Sequence, residues 1–335
     1  PQADVARRAG VSQAMVSYVL NDNSNISVPS ETRQRIQDAI DALGYIPNKA
    51  ARTLRTSVTR TIACIVPDIT NPFHTVFARG VQTVTQARGY ELILYNTDRS
   101  ANLEQSALAF VQQGRVDGVI MTILHLQPED LLPLLERDVA VVAQGPGLMP
   151  LEIEGHALDS LHINDVAAAS TAVSHLIEKG HTRIGLLAGQ ADTPPRKQRE
   201  RGYRETLAAY GIPVDEELIR GGDFEEEGGY RSMKDLLRIS PPITAVFAAS
   251  DLMAVGALQA IKESGSRVPE DIAVVGFDDI PLAKLTSPSL TTVAQFQDLM
   301  GQRAAEMLFA RLNGTAPEAG RREEMPYELI VREST

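Results

Sequence analysis

One cysteine stands in this sequence, and no apolar run in it approaches the ~20 residues that a helix needs to cross a bilayer. Cys64 lies in the apolar run TIACIVP and has no partner in the chain for a disulfide, so it reads as a small core hydrophobe in a reducing compartment rather than a redox centre. The N-terminus shows no basic flank followed by an apolar stretch, so the expected location is the cytoplasm, away from any membrane. Catalytic and metal-binding signatures are missing too. The histidines (His74, His125, His156, His162, His175 and His181) fall in no metal-ligating spacing, and neither a GxSxG elbow, a P-loop nor a GxGxxG occurs. Asp278 and Asp279 are adjacent, so in an extended segment they point to opposite faces instead of pairing as acid and base. The expectation is a protein that binds rather than catalyses, with no cofactor and no metal.

What is present is a chain of 335 residues, 43% hydrophobic and 22% charged, which is too long for one ordinary core and has the balance of a soluble globular protein. Two or three folding units are expected. The net charge of −11 is unevenly spread. Residues 1–60 hold eight Lys or Arg against five Asp or Glu, a net of +3 that leaves −14 for the remainder. A basic head on an acidic body suggests that only the head meets a polyanion.

In the head, DVARRAG gives a short helix with Val5, Ala6 and Ala9 inward, Gly10 permits a tight turn, and Ser12 caps a second helix. That second helix, within GVSQAMVSYVLN, turns Val16, Val19 and Leu20 inward. Its other face carries the compact residues Ala14, Ser17 and Tyr18 in place of the Lys and Glu of a solvated helix. A third helix, SETRQRIQDAIDALGY, repeats Ile36, Ala39, Ile40 and Leu43 at helical spacing and stops at Gly44. An ordinary helical hairpin is the bland reading. The functional one is a helix-turn-helix whose second helix enters a DNA major groove about 12 Å wide, where a slim outer face is required. The candidate contacts there are Ser12, Gln13, Ala14, Ser17, Tyr18 and Asn21. Residues 48–60, NKAARTLRTSVTR, hold four basic residues and no acid, lack a core-sized apolar face, and read by themselves as a linker.

From residue 61 onward apolar strands alternate with amphipathic helices. The strands are TIACIV, ELILYN, DGVIMTI, VAVVAQ, RIGLLAG, ITAVFAA and IAVVGF; the helices span roughly 74–88, 103–113, 165–179, 198–210, 226–238 and 251–264. Such βα repeats predict parallel sheets covered by helices on both faces, and their number predicts two like lobes meeting near residue 160. Ligands of such sheets sit at the carboxyl ends of strands. The residues collected there are Asp68, Asn71 and Phe73; Asn96 and Asp98; Gln144; Gln190, Arg196 and Arg199; Phe224; Ser250 and Asp251; and Asp278. Paired donors and acceptors with aromatic plates suit a hydroxyl-rich ligand, and a sugar fits best. Each residue alone has a plainer reading: Asp68 or Asp251 as a helix cap, Asn71-Pro72 as turn chemistry, Arg196 or Arg199 as solvated charge.

DVARRAGVSQAMVSYVLN, ETRQRI, ALGYIPNKAARTLRT, VPDITNPF, HTRIGLLAG, GFDDI, SPSLTTVAQ and VREST, in this order from end to end, resemble the LacI/GalR family of bacterial transcription regulators. The resemblance implies an α/β fold: an N-terminal three-helix helix-turn-helix DNA-binding domain plus a two-lobed periplasmic-binding-protein-like (type I) domain with parallel sheets and three crossovers between lobes. The boundaries expected are 1–47 for the head, 48–60 for a hinge and 61–335 for the effector-binding and dimerisation domain. Within it the N-lobe is placed at about 61–161 and 291–320, the C-lobe at about 162–290 and 321–335. The resemblance also implies that the hinge becomes a short helix on DNA, with Leu54 as a wedge in the minor groove and Asn48, Arg52 and Arg55 beside it. It puts Gln13, Ala14 and Tyr18 at base-reading positions, Tyr18 where many members carry Arg. It raises Phe73, Arg199, Phe224 and Asp278 as effector contacts, and finds the usual Asp-Asn order reversed in IND at 163–165. Pro1 and Gln2 stand where the family opens with a Thr cap and an Ile, so a trimmed start is expected.

The function implied is a homodimeric, sequence-specific transcriptional regulator, a repressor, that binds double-stranded operator DNA and is controlled by a small-molecule effector, a sugar, held between the lobes. The alternative is a solute-binding or sensor protein whose ligand is a nucleobase or nucleoside; it explains the body but not the basic head.

Overall fold

A computed structural model describes residues 1–20, 27–46, 58–145 and 149–335, and the chain divides into two compact units, Pro1–Thr59 and Arg60–Thr335. The expected contacts Asn21, Asn48, Arg52, Leu54 and Arg55 lie outside the described residues.

The first unit contains α1 (Gln2–Ala9), α2 (Gln13–Leu20) and α3 (Ser30–Leu43). Gly10 ends α1 at φ 66, a left-handed conformation that a residue without Cβ adopts freely, and Val11 N–H returns to the Ala6 carbonyl at 3.0 Å. Ser12 Oγ then accepts from Met15 N–H at 3.2 Å, the cap that its place before α2 predicts. Val5, Ala6, Ala9, Val16, Val19, Ile36 and Ala39 form the small core. Leu43 departs from expectation and is 42% exposed. Gly44 reverses the chain there, and Tyr45 packs against the core in its stead.

The second unit has two six-stranded sheets. Strands β1 (Thr61–Val66), β2 (Glu91–Asn96), β3 (Gly118–Thr122), β4 (Ala140–Gln144) and β5 (Asp159–His162) precede the first crossover; β6 (Ile184–Leu187), β7 (Ile219–Arg220), β8 (Ala245–Ala248), β9 (Ala273–Asp278) and β10 (Thr291–Ala294) follow it, and β11 (Arg322–Glu324) and β12 (Glu328–Ile330) close the chain. The first sheet runs β11-β5-β4-β3-β1-β2 and the second β12-β10-β9-β8-β6-β7, every pairing parallel except β10 with β12. The central strands β3, β4, β6, β8 and β9 are buried throughout, which is why they read as unbroken apolar runs and not as alternating ones. Cys64 is wholly buried on β1, and burial pushes its thiol up to about 12.

Helices α4 (Pro72–Ala87), α5 (Ala101–Val111) and α10 (Gln297–Leu312) cover the first sheet; α6 (Asp165–Glu178), α7 (Pro194–Ala209), α8 (Glu226–Leu236) and α9 (Asp251–Glu263) cover the second. The lobe boundaries expected at residues 291 and 321 are corrected by strand pairing. Thr291–Ala294 pairs with Val275–Asp278, so the chain leaves the second lobe only after Ala294. Arg322–Glu324 pairs with Ser160–His162, so the first lobe keeps the chain through Glu324. Among the described residues no helix is long and apolar enough to cross a membrane, and no group of three or more His, Cys, Asp or Glu side chains could hold a metal ion.

Candidate functional site

On the head, α2 contains no charged side chain. Ser12, Gln13 and Ala14 are exposed at its start, with Ser17 and Tyr18 half-buried one turn on. Arg7 and Arg8 lie exposed in the last turn of α1, and Arg33 and Arg35 are exposed on α3. A slim polar face with cations on the adjoining helices is the arrangement that positions a helix on phosphates while its first turn meets base edges.

In the body, the carboxyl ends of both sets of strands converge on a cleft lined from both lobes, the concave, part-apolar kind of place where small molecules bind. Eight of the expected residues line it: Asp68, Asn71, Phe73, Gln144, Arg199, Phe224, Ser250 and Asp278. Arg199, on α7, is the central cation of the second lobe. Its Nε donates to Asp165 at 2.7 Å and Nη1 to the Ala249 carbonyl at 2.6 Å, with Asp278 at 3.7 Å. Its guanidinium carbon sits 3.8 Å from the centre of the Phe277 ring. Asp278 ends β9, and Gln295 Nε2 donates to its carboxylate at 2.5 Å. Burial pushes the Asp278 carboxyl up to about 7, against the opposing pull of Arg199 and of the Gln295 hydrogen bond. Burial likewise raises Asp165, offset in part by Arg199.

The first lobe contributes a second cluster. Asp68 accepts from Thr70 N–H at 2.8 Å and from the Thr70 hydroxyl at 2.7 Å, and lies 3.2 Å from Arg99. Burial alone raises the Asp68 carboxyl, but those bonds and Arg99 outweigh it, and the net shift is downward. Asn71 caps α4 by accepting from Phe73 N–H at 2.9 Å, so its plainer reading holds while it also lines the cleft. Thr122 donates to Gln144 Oε1 at 2.7 Å. His74, beside Phe73, is lowered to about 4 by burial and is therefore neutral at pH 7; its Nδ1 is buried without a hydrogen-bond partner.

Five expected residues do not reach the cleft. Asp98 is exposed, at φ 47, and accepts from the Asn96 side chain; the turn there presents the next residue, Arg99, to the cleft. Arg196 lies about 100° of helix round from Pro195, which does line the cleft, and its side chain runs to Glu200 and the Gly189 carbonyl, each at 3.4 Å. Asp251 is fully buried beneath the floor, where it accepts from Ile280 N–H at 2.9 Å and the Thr292 hydroxyl at 2.6 Å. Burial and then the neighbouring Asp278 raise its carboxyl. Asn96 and Gln190 are also absent from the lining, Asn96 accepting instead from Ile69 N–H. Conversely, His74, Arg99, Thr122, Asp165 and Gln295 line the cleft without having been singled out as effector contacts. Asp165 carried a signal in the IND motif, where Asn164 turns out to cap α6 and Asp165 to face Arg199.

Comparison with known proteins agrees with this architecture. Residues 3–48 match the profile of bacterial regulatory proteins of the lacI family, and residues 173–335 match a periplasmic binding protein-like domain. The HTH-type transcriptional regulator CelR of Thermobifida fusca is 38% identical, across 98% of this chain and 96% of its own length. Among solved structures, a transcriptional regulator CelR–cellobiose complex superposes with TM-score 0.74 at 35% identity, covering 100% of this chain and 99% of that one. The lac repressor dimer bound to operator and the anti-inducer ONPF superposes with TM-score 0.85 at 27% identity, covering 99% of this chain and 97% of that one. With a helix-turn-helix head, a two-lobed binding body and a relative of this identity across almost its whole length, the chain belongs to the lacI family of bacterial transcriptional regulators.

Proposed function

We propose that this regulator is a homodimeric repressor whose effector is a neutral sugar, bound in the cleft of the body. The observation that carries the effector class is the pairing of both cleft guanidiniums. Arg199 is engaged by Asp165 and Asp278, and Arg99 by Asp68 and the Glu225 carboxylate. A phosphate or carboxylate ligand needs an uncommitted cation, whereas sugar hydroxyls donate to the carboxylates and accept from the guanidiniums. The rings of Phe73 and Phe224 give such a ligand C–H contacts. The bound cellobiose of the CelR complex supports the same class over a nucleoside, and a plain solute-binding protein leaves the helix-turn-helix without a role.

A second copy of the chain is the proposed partner. The lac repressor at TM-score 0.85 is a dimer on its operator. In this body, Leu285 is 76% exposed, next in sequence to a groove whose lining mixes Val255, Leu258 and Val268 with Lys262, Arg267 and Glu270, and pairing with its twin would cover that leucine.

The test is calorimetry of the full chain against cellobiose, glucose, ribose, uridine and glucose 6-phosphate, with light scattering for the oligomer. Saturable binding of a neutral sugar by a dimer is the expected result. Binding of only the nucleoside or the phosphate ester overturns the effector class, and a monomer overturns the assembly.

A further inference from the structure

Gly189, just past the end of β6, is buried and its backbone lies outside the positive-φ region, so nothing in its conformation calls for glycine. The space around it does. A Cβ placed there falls 1.8 Å from Cζ of Phe224, 2.1 Å from Cε1 and 2.3 Å from Cε2. Carbon atoms rest about 3.5–4.0 Å apart, so the tip of the Phe224 ring occupies the volume that any side chain at 189 takes. Phe224 itself is held at φ 66, an uncommon conformation for a bulky residue, and its ring lines the cleft. The Ser250 hydroxyl donates to its carbonyl at 3.4 Å, and Ser250 lines the cleft as well. The wall therefore depends on a vacant position 35 residues away in sequence.

We propose that Gly189 is a positioning residue for ligand recognition: its missing side chain is the seat that receives the tip of the Phe224 ring and so lets that ring form an apolar wall of the cleft. This rests on the sugar reading for its affinity readout, though not for its structural one. An alanine at 189 drives the ring tip off its seat by roughly 2 Å, the shortfall from ordinary carbon contact. The ring then intrudes on the cleft or swings away from the ligand, and in either case the stacked face is lost.

The experiment is a cycle of four full-length proteins: wild type, Gly189→Ala, Phe224→Leu and the double variant. Sugar affinity is measured by calorimetry, operator affinity without sugar by anisotropy, and the Phe224 position from a crystal structure of Gly189→Ala. Expected are a displaced ring, at least a tenfold loss of sugar affinity when Gly189→Ala is made in the wild-type background, less than twofold when it is made in the Phe224→Leu background, and unchanged operator affinity. Equal losses in both backgrounds, or an undisplaced ring, overturn the proposal. If wild type binds none of the sugars, the effector reading fails and the ring position alone decides the seat. Should Gly189→Ala alone not fold while the double variant does, the clash with Phe224 is established by that rescue; if neither folds, Gly189 serves the fold and the positioning role is rejected.

Discussion

Arg99 of the first lobe forms an ion pair with Glu225 of the second, while keeping Asp68 of its own lobe at 3.2 Å and the Asp223 carbonyl at 3.4 Å. One guanidinium thus ties together the two lips of the cleft that it also lines. A ligand can shift an equilibrium only by its differential affinity for the two states, and a tie across the cleft favours the closed one.

Glu225→Gln leaves Asp68 as the partner of Arg99 and removes the cross-lobe charge. Both side chains are partly exposed, at 22% and 39%, so solvent screens the pair and its worth is about 0.2–1 kcal/mol. Sugar affinity is expected to fall by up to about fivefold, and the weakening of binding by 0.5 M salt to become smaller than in wild type. Identical salt profiles for the two proteins remove Arg99–Glu225 from closure.

The buried carboxyls of the second lobe impose a pH dependence on stability. With its pKa lifted to about 7 from an ordinary value near 3.9, Asp278 binds more protons folded than unfolded between those limits, so its contribution falls as pH rises toward 7 and levels off above. His74, lowered to about 4, acts oppositely below its ordinary value of about 6.5, so the carboxyl effect is cleanest above that pH. Urea unfolding of the body is expected to show a loss on the order of 1 kcal/mol between pH 6.5 and 8, flattened in Asp278→Asn. Equal slopes in both proteins show that Asp278 does not titrate in this range.

On the head, Tyr18→Arg changes a half-buried ring on an uncharged helix into a cation with base-pairing geometry. The variant is expected to reorder its preference among operator half-site variants, by about 1–3 kcal/mol at the position it reads. A shift of equal size on every sequence makes Tyr18 a phosphate-side residue.

The elements that depend on near neighbours were legible in the sequence: Ser12 as a cap, Gly10 and Gly44 as stops, and the buried runs of β1, β3, β4, β6, β8 and β9. The short strands Thr291–Ala294 and Arg322–Glu324 were not, because four residues (TTVA) and three (REE) carry too little pattern to be read locally and take their place from the strands they pair with. The same limit governs the cleft. Arg199 lies in the second turn of α7, where its direction follows from the helix, whereas the turn at Asp98 and Arg99 runs through left-handed backbone that exchanges which of the two faces inward. Asp251 was misplaced for a different reason: proximity to a strand end does not tell a floor-supporting carboxyl from one that opens into the cleft.

The central claim is that a sugar in the cleft controls the hold of the head on DNA, and one titration tests it most directly. The sugar found by calorimetry is added to operator-bound wild type and to operator-bound Asp278→Ala, and anisotropy of the labelled operator is followed. Asp278 lines the cleft, and in the proposed reading its carboxylate accepts from the ligand, each charge-assisted hydrogen bond being worth about 1.5–3 kcal/mol. The expected result is equal operator affinity without sugar, a clear response of wild type, and a midpoint for the variant at least tenfold higher or beyond reach. Coincident midpoints for the two proteins would contradict the account.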